Sequence, residues 1–180
     1  MNTMNTYYGK KINPMKMTVE DICIEDIAHA LSLLCRGGGH LNRFYSVAQH
    51  SINCANEARA RGLSHRIELA CLLHDASEAY ISDIIRPVKV HLTNYYEIEE
   101  RIMATVLEKF GLGDLNEAEN QEWKQIDDDM LENELKEMME GEKDRTPVKL
   151  MSMPNFQESH YKVVETQFLE MARELVELKS

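Results

Sequence analysis

No stretch of the 180-residue chain stays apolar over the roughly 18 residues that a membrane-spanning helix needs. The polar start, Met1 to Met17, has no segment resembling the apolar core of a secretory leader. No C-x-x-C pair occurs among Cys23, Cys35, Cys54 and Cys71. Together these absences lead us to expect reduced, mostly buried thiols in a cytoplasmic protein without membrane contact. Aromatic residues are scarce at 7%, while Met occurs eleven times, so aliphatic side chains and Met should build the core. Basic residues are also short: 20 Lys and Arg face 31 Asp and Glu, a net charge of −11. A nucleic-acid polymer is held largely through neutralised phosphates, and this balance excludes a surface that coats one. A small phosphorylated substrate stays open, because a few local cations and a metal override a distant field. Thirteen acids against four bases lie between Asp114 and Arg145, which reads as a solvated helix face followed by a loop.

What is present is helical periodicity in a chain of single-domain length. Residues 1–20, with Tyr7, Tyr8, Gly9 and Pro14, read as an irregular or short β-hairpin lead-in, and residues 21–180 as a helical core. Ile24, Ile27, Ala28, Leu31, Leu34 and Cys35 form one helical stripe, which Gly37-Gly38-Gly39 should end. Ser46 with Gln49 has the pattern of a capping box, opening a helix to about Gly62. A helix from Ser64 to about Ala79 follows, and Pro87 forces an extended stretch around Arg86. Asn94 with Glu97 opens a helix ending at Gly111 and Gly113, and a long one covers Glu117 to Met139. Residues 141–154 read as an exposed loop, and Asn155 with Glu158 opens a closing helix to about Leu178. There is no internal repeat or linker, so the expectation is all-α, one helical bundle.

The chemistry concentrates in Leu72-Leu73-His74-Asp75-Ala76-Ser77-Glu78-Ala79-Tyr80. An apolar helix that ends in His-Asp sets two ligand types about 100° apart, so both reach one ion only at the edge of a cavity. Glu78 shares their face one turn along. A lone His-Asp pair is more often a buried imidazole bonded to a local acid, but the neighbouring elements add candidates. His50 sits early in the preceding helix and Asp127 lies in the long acidic one; antiparallel packing would bring the four together.

From about Ile24 to Glu134 the chain resembles the HD-domain phosphohydrolases, whose hallmark is H…HD…D. Within them it is similar to small 5′-deoxynucleotidases and phage deoxynucleoside triphosphohydrolases. The resemblance runs through Ile24–Ser32, Cys35-Arg36-Gly37-Gly38-Gly39-His40, Phe44–Ser51, His74–Tyr80, Asp83 and Arg86-Pro87-Val88-Lys89. It implies an HD-type helical bundle in which His50, His74, Asp75 and Asp127 bind one divalent transition metal. Two imidazoles and two carboxylates suit Mn²⁺, Co²⁺, Fe²⁺, Ni²⁺ or Zn²⁺, and a polyphosphate substrate would bring an additional Mg²⁺. It also implies Glu78 as the catalytic carboxylate, Asp83 as a second acid beside substrate, and Arg36 as a phosphate-binding fork. Lys89 is a further candidate cation. Asp128 and Asp129 are alternatives to Asp127; a Lys-x-x-Asp match favours Asp127 and leaves the other two solvated.

The expected activity is hydrolysis of a phosphate ester or anhydride in a small nucleotide, as a 5′-nucleotidase or a triphosphohydrolase. A non-catalytic regulatory module that binds metal and nucleotide is the alternative, and a helical interaction protein with a vacant site is a third reading. Relatives of this kind assemble as homo-oligomers. Gly37 stands where related proteins often carry a large aromatic, so base and sugar selectivity do not carry over. His29 reads as a hydrogen-bonded structural group, His40 as a brace for the glycine loop, Tyr45 as core, and His65, His91 and His160 as surface. The glycines lack a Gly-Lys-Ser/Thr continuation, which excludes a Walker loop.

Overall fold

A computed structural model describes residues 2–179 as a single helical domain with a two-stranded antiparallel sheet at its N-terminal end. Met1 of the lead-in and Ser180 of the core segment lie outside the described residues. Strands β1 (Met4–Asn5) and β2 (Lys11–Ile12) pair with Met4 opposite Ile12. The hairpin docks on α1 (Ile24–Leu33) through the backbone N–H of Tyr8, which donates to Asp26 Oδ1 at 2.8 Å.

The centre of the fold is α2 (Val47–Ala60), packed against α3 (His65–Leu73), with α7 (Glu117–Met138) and α8 (Tyr161–Lys179) laid across both. Ser46 closes the expected capping box with Gln49. Ile27, Leu31, Val47, Leu69, Leu72, Leu73, Ile126 and Phe168 are almost fully buried in one cluster. Each such side chain contributes roughly 1.5–3 kcal/mol through removal from water. Helix α1 stops at Leu33, ahead of the glycines, because Cys35 and Ser46 form an isolated bridge that needs extended backbone.

The remaining elements depart from the periodicity in instructive ways. The helix expected to run on to Ala79 breaks after Leu73 into a turn and the short α4 (Glu78–Ile81). Around Arg86 the chain is not extended. Pro87 sits in the first turn of α5 (Arg86–Lys89), where its missing N–H leaves no bond unmade. Helix α6 (Tyr95–Lys109) begins after Asn94 as expected, but Asn94 is left-handed and its side chain makes no cap. The closing helix starts at Tyr161 rather than Asn155. The backbone of Asn155 is bound to Asn53 of α2 through both its N–H and its carbonyl, and its side chain accepts from Gln157 N–H. That use of the backbone holds residues 155–157 as a strap along α2 and defers the helix.

Candidate metal centre

His50 lies one turn into α2 and is fully buried. Its Nδ1 is 2.6 Å from Glu134 Oε1, so the ring donates there and turns Nε2 inward. His74 is set by the main chain: Nδ1 donates to the Cys71 carbonyl at 2.7 Å, which again turns Nε2 inward. The two Nε2 atoms are 3.1 Å apart. Asp127 Oδ1 lies 3.1 Å from the first and 3.6 Å from the second. Asp75 Oδ2 lies 3.8 and 3.2 Å from the same two atoms. Donors bound at about 2.1 Å to one ion stand about 3.0 Å apart when adjacent, so this spacing fits a shared cation. The fixed imidazole tautomers point the same way, since metal-ligating histidines characteristically donate their other nitrogen.

Cys54 follows His50 by one helical turn, with Sγ 3.5 Å from Nε2. One donor atom from each of His50, Cys54, His74 and Asp127 can be chosen so that all lie within 4.8 Å of one another, a buried group able to hold a metal ion. Burial above all, then the nearby Asp127 charge, pushes the Cys54 thiol well up, so it carries its proton. Burial also works against the charged form of Asp127, yet the hydrogen bonds and charges of His50 and His74 hold it well below the usual carboxylate range.

The cluster opens onto a cavity of about 570 Å³, within the roughly 300–1,000 Å³ typical of small-molecule sites. Arg36, Asp75, Glu78, Asp83, Lys89 and Asp127 all line it. Arg36 follows the extended Cys35 and is held by three acids: Nη1 to Asp75 at 3.1 Å, Nε to Glu134 at 3.0 Å and Nη2 to Asp127 at 3.7 Å. Glu78, at the start of α4, is 4% exposed, and its Oε2 has no hydrogen-bond partner among the described residues. Burial first, then the charges of Asp75 and Asp83, raises its pKa well above the ordinary value. Asp83 accepts from Gly37 N–H at 3.2 Å and ties the glycine turn to the segment after α4. Gly37 needs that freedom, with φ at 65°. Lys89 pairs with Glu99 at 2.7 Å. His40 is an exposed residue of the cavity rim.

Two buried acids correct the reading of 114–145 as a solvated face. Asp129 is 8% exposed and bonded to Arg61 at 2.8 Å, while Glu134 is 2% exposed. Only Asp128 of the neighbouring pair is solvated, at 59% of its side chain. Glu134 collects Arg36, His50 and the Tyr45 hydroxyl, which donates at 2.8 Å, so it is the hub behind the centre. Its seven-residue spacing from Asp127, two turns on one face, was the available signal. Cys54 was signalled by its position four residues after His50. His29 bonds Glu165 at 3.1 Å and stacks on Tyr7, and Tyr45 is fully buried.

No protein-family model matches the chain. It is similar to the uncharacterized protein YfdR of Escherichia coli (strain K12), 42% identical over 112 residues that cover 62% of this chain and 60% of that one. An uncharacterized protein of Rhodobacter capsulatus is 41% identical over 110 residues, covering 58% and 56%. The chain thus spans about three-fifths or less of the length of these curated relatives. Among the described residues, no helix is long and apolar enough to cross a membrane, and all four cysteines are free thiols.

Proposed function

We propose that the chain is an HD-type, metal-dependent phosphohydrolase acting on a small nucleotide, with deoxynucleotides as the substrate class. The observation that carries this reading is the convergence of the inward-turned Nε2 atoms of His50 and His74 with Asp127 and Asp75 at the wall of a cavity holding Glu78 and Arg36. The ordered H…HD…D resemblance supports it independently. His50, His74, Asp75 and Asp127 hold one divalent transition metal. Asp75 is the fourth ligand in preference to Cys54, since Asp75 Oδ2 lies 3.8 and 3.2 Å from the two Nε2 atoms and the Cys54 thiol keeps its proton. When bound, the metal supplies a water of lowered pKa and a polarised phosphoryl oxygen.

The chain's own groups do the rest. Arg36 bridges three converging acids and sets a planar guanidinium beside the phosphate position. Glu78 offers a carboxyl of raised pKa with an unpartnered oxygen, set to exchange a proton at the cavity wall. Asp83 fixes the glycine turn against the site through Gly37 N–H. Lys89 adds positive charge at the cavity side. Positioning and charge neutralisation suffice for phosphoryl transfer, with no Ser or Cys nucleophile required.

The test is a panel of nucleoside mono- and triphosphates across Mn²⁺, Co²⁺, Ni²⁺, Zn²⁺ and Mg²⁺, with Glu78→Ala as control. Release of phosphate or triphosphate by wild type and its loss in the variant is the expected result. Nucleotide binding without turnover under every metal would instead make the protein a regulatory module.

A further inference from the structure

Three cationic side chains, Arg36, Lys89 and Arg86, line the cavity, and they are not equally available to an incoming anion. Arg36 is 14% exposed and engaged by Asp75, Glu134 and Asp127. Lys89 is equally covered and committed to Glu99. Arg86 differs from both. Its side chain is 63% exposed, and it reaches from α5 across to α7, with Nη2 3.1 Å from Asp128 Oδ1 and 3.4 Å from Asp127 Oδ2. Asp128 is itself solvated, and exposed pairs of this kind are worth only about 0–1 kcal/mol. Breaking the Asp128 pair to meet a stronger acceptor therefore costs little, and the Asp127 contact is long at 3.4 Å.

The position of Arg86 is as telling as its exposure. Asp127 offers Oδ1 to the imidazoles and Oδ2 to Arg86, so the guanidinium stands one carboxylate beyond the metal donors, at the cavity's outer side. A phosphate resting against the metal would project oxygens into the space between Arg36 and Arg86. A guanidinium matches two such oxygens with two parallel donors.

We infer that Arg86 is a substrate-binding residue that leaves Asp127 and Asp128 to clasp the outer oxygens of the substrate phosphate, with Asp128 acting as its competitor. This rests on the phosphohydrolase reading. The experiment is calorimetric titration of inorganic phosphate into the 180-residue chain saturated with Mn²⁺. Wild type is compared with Arg86→Gln, Arg86→Lys and Asp128→Asn. Arg86→Gln weakens binding about tenfold, Arg86→Lys recovers part of the loss, and Asp128→Asn tightens binding about threefold by releasing the arginine. A thermal melt on each variant separates these effects from misfolding.

A residue that only braced α5 against α7 would give a different pattern. Both Arg86→Gln and Asp128→Asn would then lower the melting temperature and neither would tighten phosphate binding, which overturns the inference. Equal phosphate affinity in wild type and Arg86→Gln removes the arginine's role alone. Absence of phosphate binding in the Mn²⁺-loaded wild type removes the phosphohydrolase reading with it.

Discussion

Helix α2 passes through two buried polar clusters, two turns apart, and they are built on opposite principles. At Glu57 every oxygen is met from within the protein. Oε1 accepts from Arg61 and from Met151 N–H, and Oε2 accepts from the N–H and the hydroxyl of Ser152. At His50 two imidazole Nε2 atoms, whose Nδ1 partners already donate elsewhere, and two carboxylate oxygens crowd one point. A closed network stabilises the fold because nothing is left unpaired. Acids and imidazoles drawn this close are costly unless positive charge sits among them. The first cluster pins the loop 150–152 to the helix; the second is arranged for a cation.

Substitutions can break or sharpen that contrast. The largest effect belongs to Asp75→Asn, which is expected to bring metal content and phosphate release to background, while Cys54→Ser keeps stoichiometric metal by elemental analysis. The reverse outcome would make the thiol the ligand and the aspartate a bystander. Next, Glu78→Gln should retain the metal and lose about 10²- to 10⁴-fold in turnover, the usual contribution of a positioned acid or base. Loss of metal in that variant would move Glu78 into the ligand set.

Glu134→Gln removes the partner that orients His50, and metal affinity should fall about 10- to 100-fold in a competition assay with a chelating dye. Smallest at the site, and decisive for the comparison, is Glu57→Gln. It should leave metal uptake intact and cost roughly 1–3 kcal/mol of stability, the desolvation of a group left short of a partner. Its pH signature follows from the same bonds. Burial opposes the charge of Glu57, but the Met151 and Ser152 donors hold its pKa below the ordinary value. Its stabilisation is therefore present above the unfolded-state pKa and is lost as pH falls through the lower, folded one. The acid limb of a plot of melting temperature against pH should flatten in the variant; an unchanged limb would assign acid unfolding to other carboxylates.

The sequence discloses the ligand types and the helices that carry them because those signals are local. His74-Asp75 ends an apolar run, and Ser46 with Gln49 marks the start of α2, one turn before His50. Glu134 is opaque at that level. It sits in a run of acids whose composition resembles a wet surface, and only the distant Arg36, Tyr45 and His50 make it interior. Arg86 is hidden by Pro87, whose local preference suggests an extended segment where the chain forms a helical turn. Asn155 misleads for a related reason: its residue type promises a helix start, and a partner 102 residues away claims its backbone instead. Short-range propensity names the element; long-range hydrogen bonds decide where it starts and what it faces.

The two imidazoles also differ in what fixes them, and that has a consequence for anyone redesigning the centre. The ring of His74 is set by the Cys71 carbonyl, a feature no side-chain replacement can edit. The ring of His50 is governed by a carboxylate, which can be exchanged at will. One imidazole is thus held permanently and the other adjustably, so under the proposed metal-binding role residue 134 offers a point for tuning ion choice without touching a ligand.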